Sequence, residues 1–279
     1  MIPSKTVSEQ KLNSKAMIHF TAISYGFTWL IWLPGVLSSY GIIQEIPWPP
    51  FFAIGACGPM VAAIIVLHRE GGWPRVRSWL RQGFQKKFGW QWWLCILAAP
   101  LLLPPLALWI FTLTGGEITN LLFLQKPWIA FSAFLLMVTI GGGQEEYGWR
   151  GFLLPRLLDR FRPWQADLIL IPVHALWHLP LFINTYTIQS QYPFWLFLAF
   201  GFGFTLLINR VYQRTGGSIL AAILFHGLVN TGLEIFPLVG TSVNDSPLPL
   251  LMAGILFGAA AAMITKVLKK PVDEKEPSK

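Results

Sequence analysis

The chain has 279 residues, 54% of them hydrophobic and only 12% charged, with a formal net charge of +8. Soluble domains carry about 25% charged residues, so the composition excludes an ordinary soluble fold and points to a polytopic membrane protein. Two cysteines, Cys57 and Cys95, lie in separate apolar runs without CxxC spacing, which argues against a disulfide framework or a cysteine metal site.

In chain order, the predicted elements start with a polar N-terminal tail, residues 1–16. Apolar runs follow at 17–42, 48–68 and 90–114, giving an N-terminal membrane group over 17–114. The first run is too long for a signal-peptide core and reads as a retained helix. The basic, Trp-rich stretch at about 73–88 reads as an amphipathic interfacial helix with its Trp side chains at headgroup level. Further apolar runs lie at 127–157, 164–186, 192–210, 217–237 and 248–268. Each approaches or exceeds the roughly 20 residues that cross a bilayer. The predicted fold class is therefore all-α: a polytopic membrane helical bundle of about eight transmembrane helices. The run at 127–157 joins an apolar half to a charged motif, so it must project past the bilayer or break. The charged tail 269–279 is expected to be disordered.

Twenty of the 21 Lys and Arg residues fall in alternate connections, and Lys126 alone falls in the other set. By the positive-inside rule, both termini are cytoplasmic, in a multi-pass protein of the plasma membrane. The basic excess is then a topology signal and a contact with anionic lipid, not a nucleic-acid surface.

Against this apolar background stands the run GGGQEEYGWRGFLLPRL, with Glu145, Glu146 and Arg150. Charges at membrane depth are costly, which marks them as functional candidates. His174 and His178 lie in the next apolar run; His226 and Asn230 lie two runs later. At 1.5 Å rise per residue, all three sets fall about 14–21 Å from the basic face. Residues four apart share a helix face, so His174 pairs with His178, His226 with Asn230, and Glu146 with Arg150 as an ion pair. Glu145 is rotated by about 100° from Glu146 and is left to face the histidines. A carboxylate withdrawn from water is a stronger base, and an i, i+4 His and Asn can supply two oxyanion donors. These are the parts of a peptide hydrolase, without a credible Ser or Cys nucleophile. Glu234 follows Asn230 by one turn, near the outer interface.

The EExxxR motif, a closing His, then HxxxN, on a helical membrane protein of this size, resembles the CPBP family of intramembrane proteases, also called the CAAX-protease, Abi or bacteriocin-processing family. The resemblance covers roughly 120–237, read as the catalytic helical core, with 248–268 as a last transmembrane helix. It implies catalytic roles for Glu145 and His178 on the water and for His226 and Asn230 on the oxyanion, with Glu146, Arg150 and His174 in support. The substrate it implies is a peptide or membrane-tethered protein. His174 occupies a position that is usually Phe in the family, and reads as a hydrogen-bonded wall residue or as an extra ligand. The HExxH signature is absent; if Zn²⁺ is used, Glu145, His178 and His226 are the expected ligands. Access is expected from the cytoplasmic side. Two other classes stay open: a non-catalytic scaffold or self-immunity protein, and a proton or ion transporter, which would be expected to show paired broken helices.

Overall fold

The computed structural model describes residues 7–85, 88–119 and 128–267. Among these the chain is all helical. Helix α1 is Val7–Ser39, α2 Trp48–Ala56, α3 Gly58–Gln82, α4 Trp90–Leu113 and α5 Trp128–Thr139. A composite helix, α6, covers 145–158; α7 is Pro163–Trp177, α8 Leu179–Ile183, α9 Phe194–Arg214, α10 Ile219–Ile235 and α11 Leu248–Val267. Five stretches of the described residues are long and apolar enough to cross a membrane: Ser14–Ser39, Trp48–Gln82, Trp90–Leu113, Phe194–Arg214 and Leu248–Lys266. The chain is an all-α, multi-pass membrane bundle.

Residues 7–16 already belong to α1. The basic stretch is helical after a non-helical break at Gly71 and Gly72 and ends at Gln82, with Val76 and Trp79 buried and Trp73 exposed. Residues 1–6, Lys86, Lys87, Lys126 and the tail 269–279 lie outside the described residues.

Two apolar clusters hold the bundle. One gathers α1, α3, α6 and α7 around Phe20, Trp149 and Trp177, with Phe20 stacked on Phe152 at 4.8 Å. The other gathers α4, α9, α10 and α11 around Phe204, Phe225 and Phe257. Helices α9 and α11 cross backbone to backbone: a Cβ at Gly203 would sit 1.9 Å from the Gly254 carbonyl oxygen. Small residues permit such close packing where lipid gives no hydrophobic drive to associate. The polar site lies where the two clusters meet.

Local signals explain the helix starts. Pro163 opens α7 at a position where its missing N–H costs nothing, and the Arg162 N–H donates to Gln165 Oε1 at 3.0 Å. Ser218 caps α10 by accepting from the Ala221 N–H at 3.2 Å.

Several basic side chains gather where the ends of α1, α3 and α6 meet. There Arg160 meets Ser14, Arg156 meets Glu70 at 2.8 Å, and Ser218 reaches the Gln85 carbonyl at 3.1 Å. The opposite face joins the end of α1 to the segment after α8: Ser38 bonds Tyr186 at 3.2 Å, and Thr185 donates to Ser39.

Candidate active site

The charged motif sits where the fourth apolar run breaks. Residues 140–144 turn sharply, and Gln144 fastens the turn: its amide donates to the Ile140 carbonyl at 2.6 Å and its own carbonyl accepts from Gly142 N–H at 3.2 Å. Gly142 has φ +132, a backbone conformation that L side chains rarely adopt. A Cβ there would lie 2.6 Å from Asn230 Nδ2 and 2.9 Å from His226 Nε2. Both polar tips of α10 thus converge on one glycine, and Asn230 Nδ2 also donates to the Gly141 carbonyl at 2.6 Å. We expect Gly142→Ala to displace His226 and Asn230 and to strain the turn by about 1–3 kcal/mol, read as a lowered melting temperature.

Helix α6 then opens with the two acids, and they part ways. Glu146 is fully buried and accepts from Arg150 Nη1 at 2.8 Å and from His226 Nδ1 at 2.7 Å. Glu145 accepts from the Trp149 indole at 3.3 Å, and its Oε2 stands 3.4 Å from His174 Nε2. Among the described residues Glu145 makes no ion pair with Lys or Arg. The i, i+4 pairing of Glu146 with Arg150 and the freedom of Glu145 agree with the rotation computed from the helical turn.

After Gly148 the helix widens into a π turn, Trp149–Leu153. Trp79 of α3 fills the gap in the hydrogen-bond ladder by donating to the Gly151 carbonyl at 3.1 Å. The wide turn begins inside the Glu145–Arg150 motif and contains Arg150.

His174 and His178 lie one turn apart near the end of α7. The Nδ1–H of His178 donates to the His174 carbonyl at 3.0 Å, leaving Nε2 as its other ring atom. Glu145, His174 and His178 each offer a ligand atom, and these atoms all lie within 4.8 Å of one another. This differs from the set expected from sequence, Glu145, His178 and His226, by one member. Glu146 captures Nδ1 of His226, while His174 takes the place beside Glu145. His174 is thus a direct neighbour of the Glu145 carboxylate.

Behind Arg150 runs a buried polar chain. Arg150 Nε donates to Asn209 Oδ1 at 3.0 Å, Asn209 Nδ2 to Asp167 Oδ1 at 2.8 Å, and Arg210 Nη2 to Asp167 Oδ2 at 2.6 Å. It links the site to the basic face and fills the space between them. Sequence reasoning missed Asn209 and Asp167, although a buried Asp in an apolar run and an Asn next to Arg210 were available signals.

A cavity of about 410 Å³ opens from Glu145, His174, His178 and His226. Its far walls come from Trp48, Tyr186, Tyr192, Glu234 and Val239, on the face opposite the basic loops. Access from the basic side, expected from depth alone, is not what this lining provides. Depth along a helix gives distance from one face but does not say which way the surrounding side chains leave a path.

Residues 126–232 match the family described as Type II CAAX prenyl endopeptidase Rce1-like. The chain is also similar to CAAX prenyl protease 2 of Methanococcus maripaludis, 24% identical over 275 residues that cover 92% of this chain and 95% of that protein. Both similarities agree with the resemblance to the CPBP family of intramembrane proteases. The matched segment runs from the end of the connection before α5 to Gly232 of α10, so it contains both carboxylates, Arg150, the three clustered histidines and Asn230. The family-matched segment and the polar cluster therefore lie on the same helices.

Proposed function

We propose that this protease hydrolyses an amide bond of a peptide or membrane-tethered protein segment lying in the cavity, by water activated at Glu145. The observation that carries the reading is the division of labour between adjacent acids. Glu146 is consumed by Arg150 and His226, whereas Glu145 faces the cavity beside the Trp149 indole and the His174 imidazole. Glu145 takes a proton from water, the water oxygen bonds to the carbonyl carbon, the C–N bond breaks, and the proton passes to the leaving amine. His174 and His178 orient the water. His226 and Asn230, which meet at Gly142, hold the developing oxyanion. Donation from Nε2 of His226 while Nδ1 binds Glu146 requires the doubly protonated ring, and the Glu146 carboxylate supplies its counter-charge.

The residues also fit a catalytic zinc. One carboxylate and two imidazoles form a known three-ligand set, and the carbonyl bond to His178 Nδ1 is the kind that fixes a ligating ring. Glu145, His174 and His178 would hold the ion, which when bound polarises the scissile carbonyl or acidifies its water.

The relative's name ties that protein to CAAX prenyl substrates. For this chain we infer the broader class of membrane-associated peptide segments. With the basic face in the cytoplasm, both termini are cytoplasmic in the plasma membrane, and the cavity mouth lies on the outer side. His174→Phe tests the part of this reading that sequence left open. It should cut kcat by about tenfold or more without lowering the melting temperature, because it removes a neighbour of Glu145. If a metal is held, chelation should abolish wild-type activity and Zn²⁺ should restore it, while His174→Phe should need more Zn²⁺ for recovery. Unchanged kcat in His174→Phe would return His174 to the wall.

A further inference from the structure

Among the described residues, the cavity is lined by two carboxylates, Glu145 and Glu234, and by no Lys or Arg. Glu145 belongs to the chemistry above. Glu234 does not: it sits one turn beyond Asn230 on α10, past the family-matched segment, and is exposed toward the cavity mouth. Among the described residues it has no hydrogen-bond or ion-pair partner, in contrast to Glu146, Glu70 and Asp167, which are all paired. An unpaired acid at the mouth of a mostly apolar cavity is open to a cationic group that enters with a substrate. The same mouth carries Trp48, Tyr186 and Tyr192, whose ring faces attract cations.

We propose that Glu234 is a specificity residue that receives a Lys or Arg side chain of the substrate two residues from the cleaved bond. The spacing follows from the helix. Asn230 holds the scissile carbonyl in the reading above, and four residues of α10 advance about 6 Å. An extended peptide covers about 3.3–3.6 Å per residue, so two residues span that distance. The proposal rests on the hydrolase reading and adds a substrate class to it: basic peptide segments presented to the outer face. A charge-assisted contact of this kind discriminates against a neutral residue by about tenfold in kcat/KM.

The test is cleavage-site profiling with the full-length protease in proteoliposomes, on a pool of randomised peptides read by mass spectrometry, with Glu145→Gln as the background. Wild type should enrich Lys and Arg about tenfold at one position two residues from the cut. Glu234→Gln should flatten that preference, and Glu234→Lys should turn it toward Asp and Glu. Wild-type cuts above background without basic enrichment overturn the Glu234 subsite and leave the hydrolase standing. Enrichment that survives in Glu234→Gln does the same. Peptide cuts that are equal in wild type and Glu145→Gln, or absent from both, remove the hydrolase reading and the subsite with it.

Discussion

Glu145→Gln should fold, insert and melt like the wild-type protein, yet lose at least about a hundredfold in peptide cleavage, the usual size of a general-base contribution. The substitution is nearly isosteric and keeps an acceptor for the Trp149 indole and for His174. What it removes is the ability to take a proton. Glu146→Gln should behave differently. It leaves Glu145 in place but weakens the buried contacts to Arg150 and His226, so both stability and turnover should fall. The contrast between adjacent acids separates a chemical role from a structural one. Measurement of kcat and melting temperature on the two variants, in the same detergent or lipid, reads it directly.

Arg150→Met should carry the largest stability cost. Arg150 is fully buried and binds both Glu146 and Asn209. Removing it strands the Glu146 carboxylate in the bundle interior, and breaking one partner of a buried pair costs about 3–5 kcal/mol. Thermal unfolding should shift down accordingly and the yield of folded protein should drop. The double variant Glu146→Gln with Arg150→Met should recover much of the stability, because neither member of that buried ion pair is then left without the other. It should not recover activity, since His226 would still lack the carboxylate that holds its Nδ1. Full stability in Arg150→Met alone would mean that the pair contributes little and that Glu146 finds another partner.

Much of this arrangement was legible in the chain. The spacing of Glu146 and Arg150 fixes an i, i+4 pair on any α-helix, and the 100° offset of Glu145 follows from the same geometry. The long apolar runs gave an all-α membrane bundle, and the convergence of Glu145, His174, His178, His226 and Asn230 at one depth gave a shared site. Three features were not legible. The turn at 140–144 resets the rotation of the helix after it, so which histidine meets Glu145 could not be computed from the first half of the run. The capture of His226 by Glu146 and the approach of His174 to Glu145 depend on that reset. The π turn at Trp149–Leu153 has no marker in hydropathy, because it depends on Trp79 arriving from a distant helix. The direction of the cavity depends on bulk rather than on pattern. Trp149, Trp79 and the Arg150–Asn209–Asp167 chain close the basic side, while the segment after α8 leaves the other side open.

The glycines show the same division. A GGG run signals flexibility or close approach, but only the packed structure separates the members: Gly142 alone has positive φ among the three and lies against His226 and Asn230. Asp167 and Asn209 illustrate the reverse case. Each is a plain polar residue in an apolar run, and together they carry the Arg150 charge toward Arg210 at the basic face.

The most direct measurement compares membrane and secreted peptides from cells producing the wild-type protein with those from cells producing Glu145→Gln at equal level, by mass spectrometry of newly formed chain ends. Hydrolysis at Glu145 predicts a set of ends present with the wild type and missing with the variant, drawn from membrane-associated proteins. Identical sets of ends, with both proteins folded in the membrane, would contradict it.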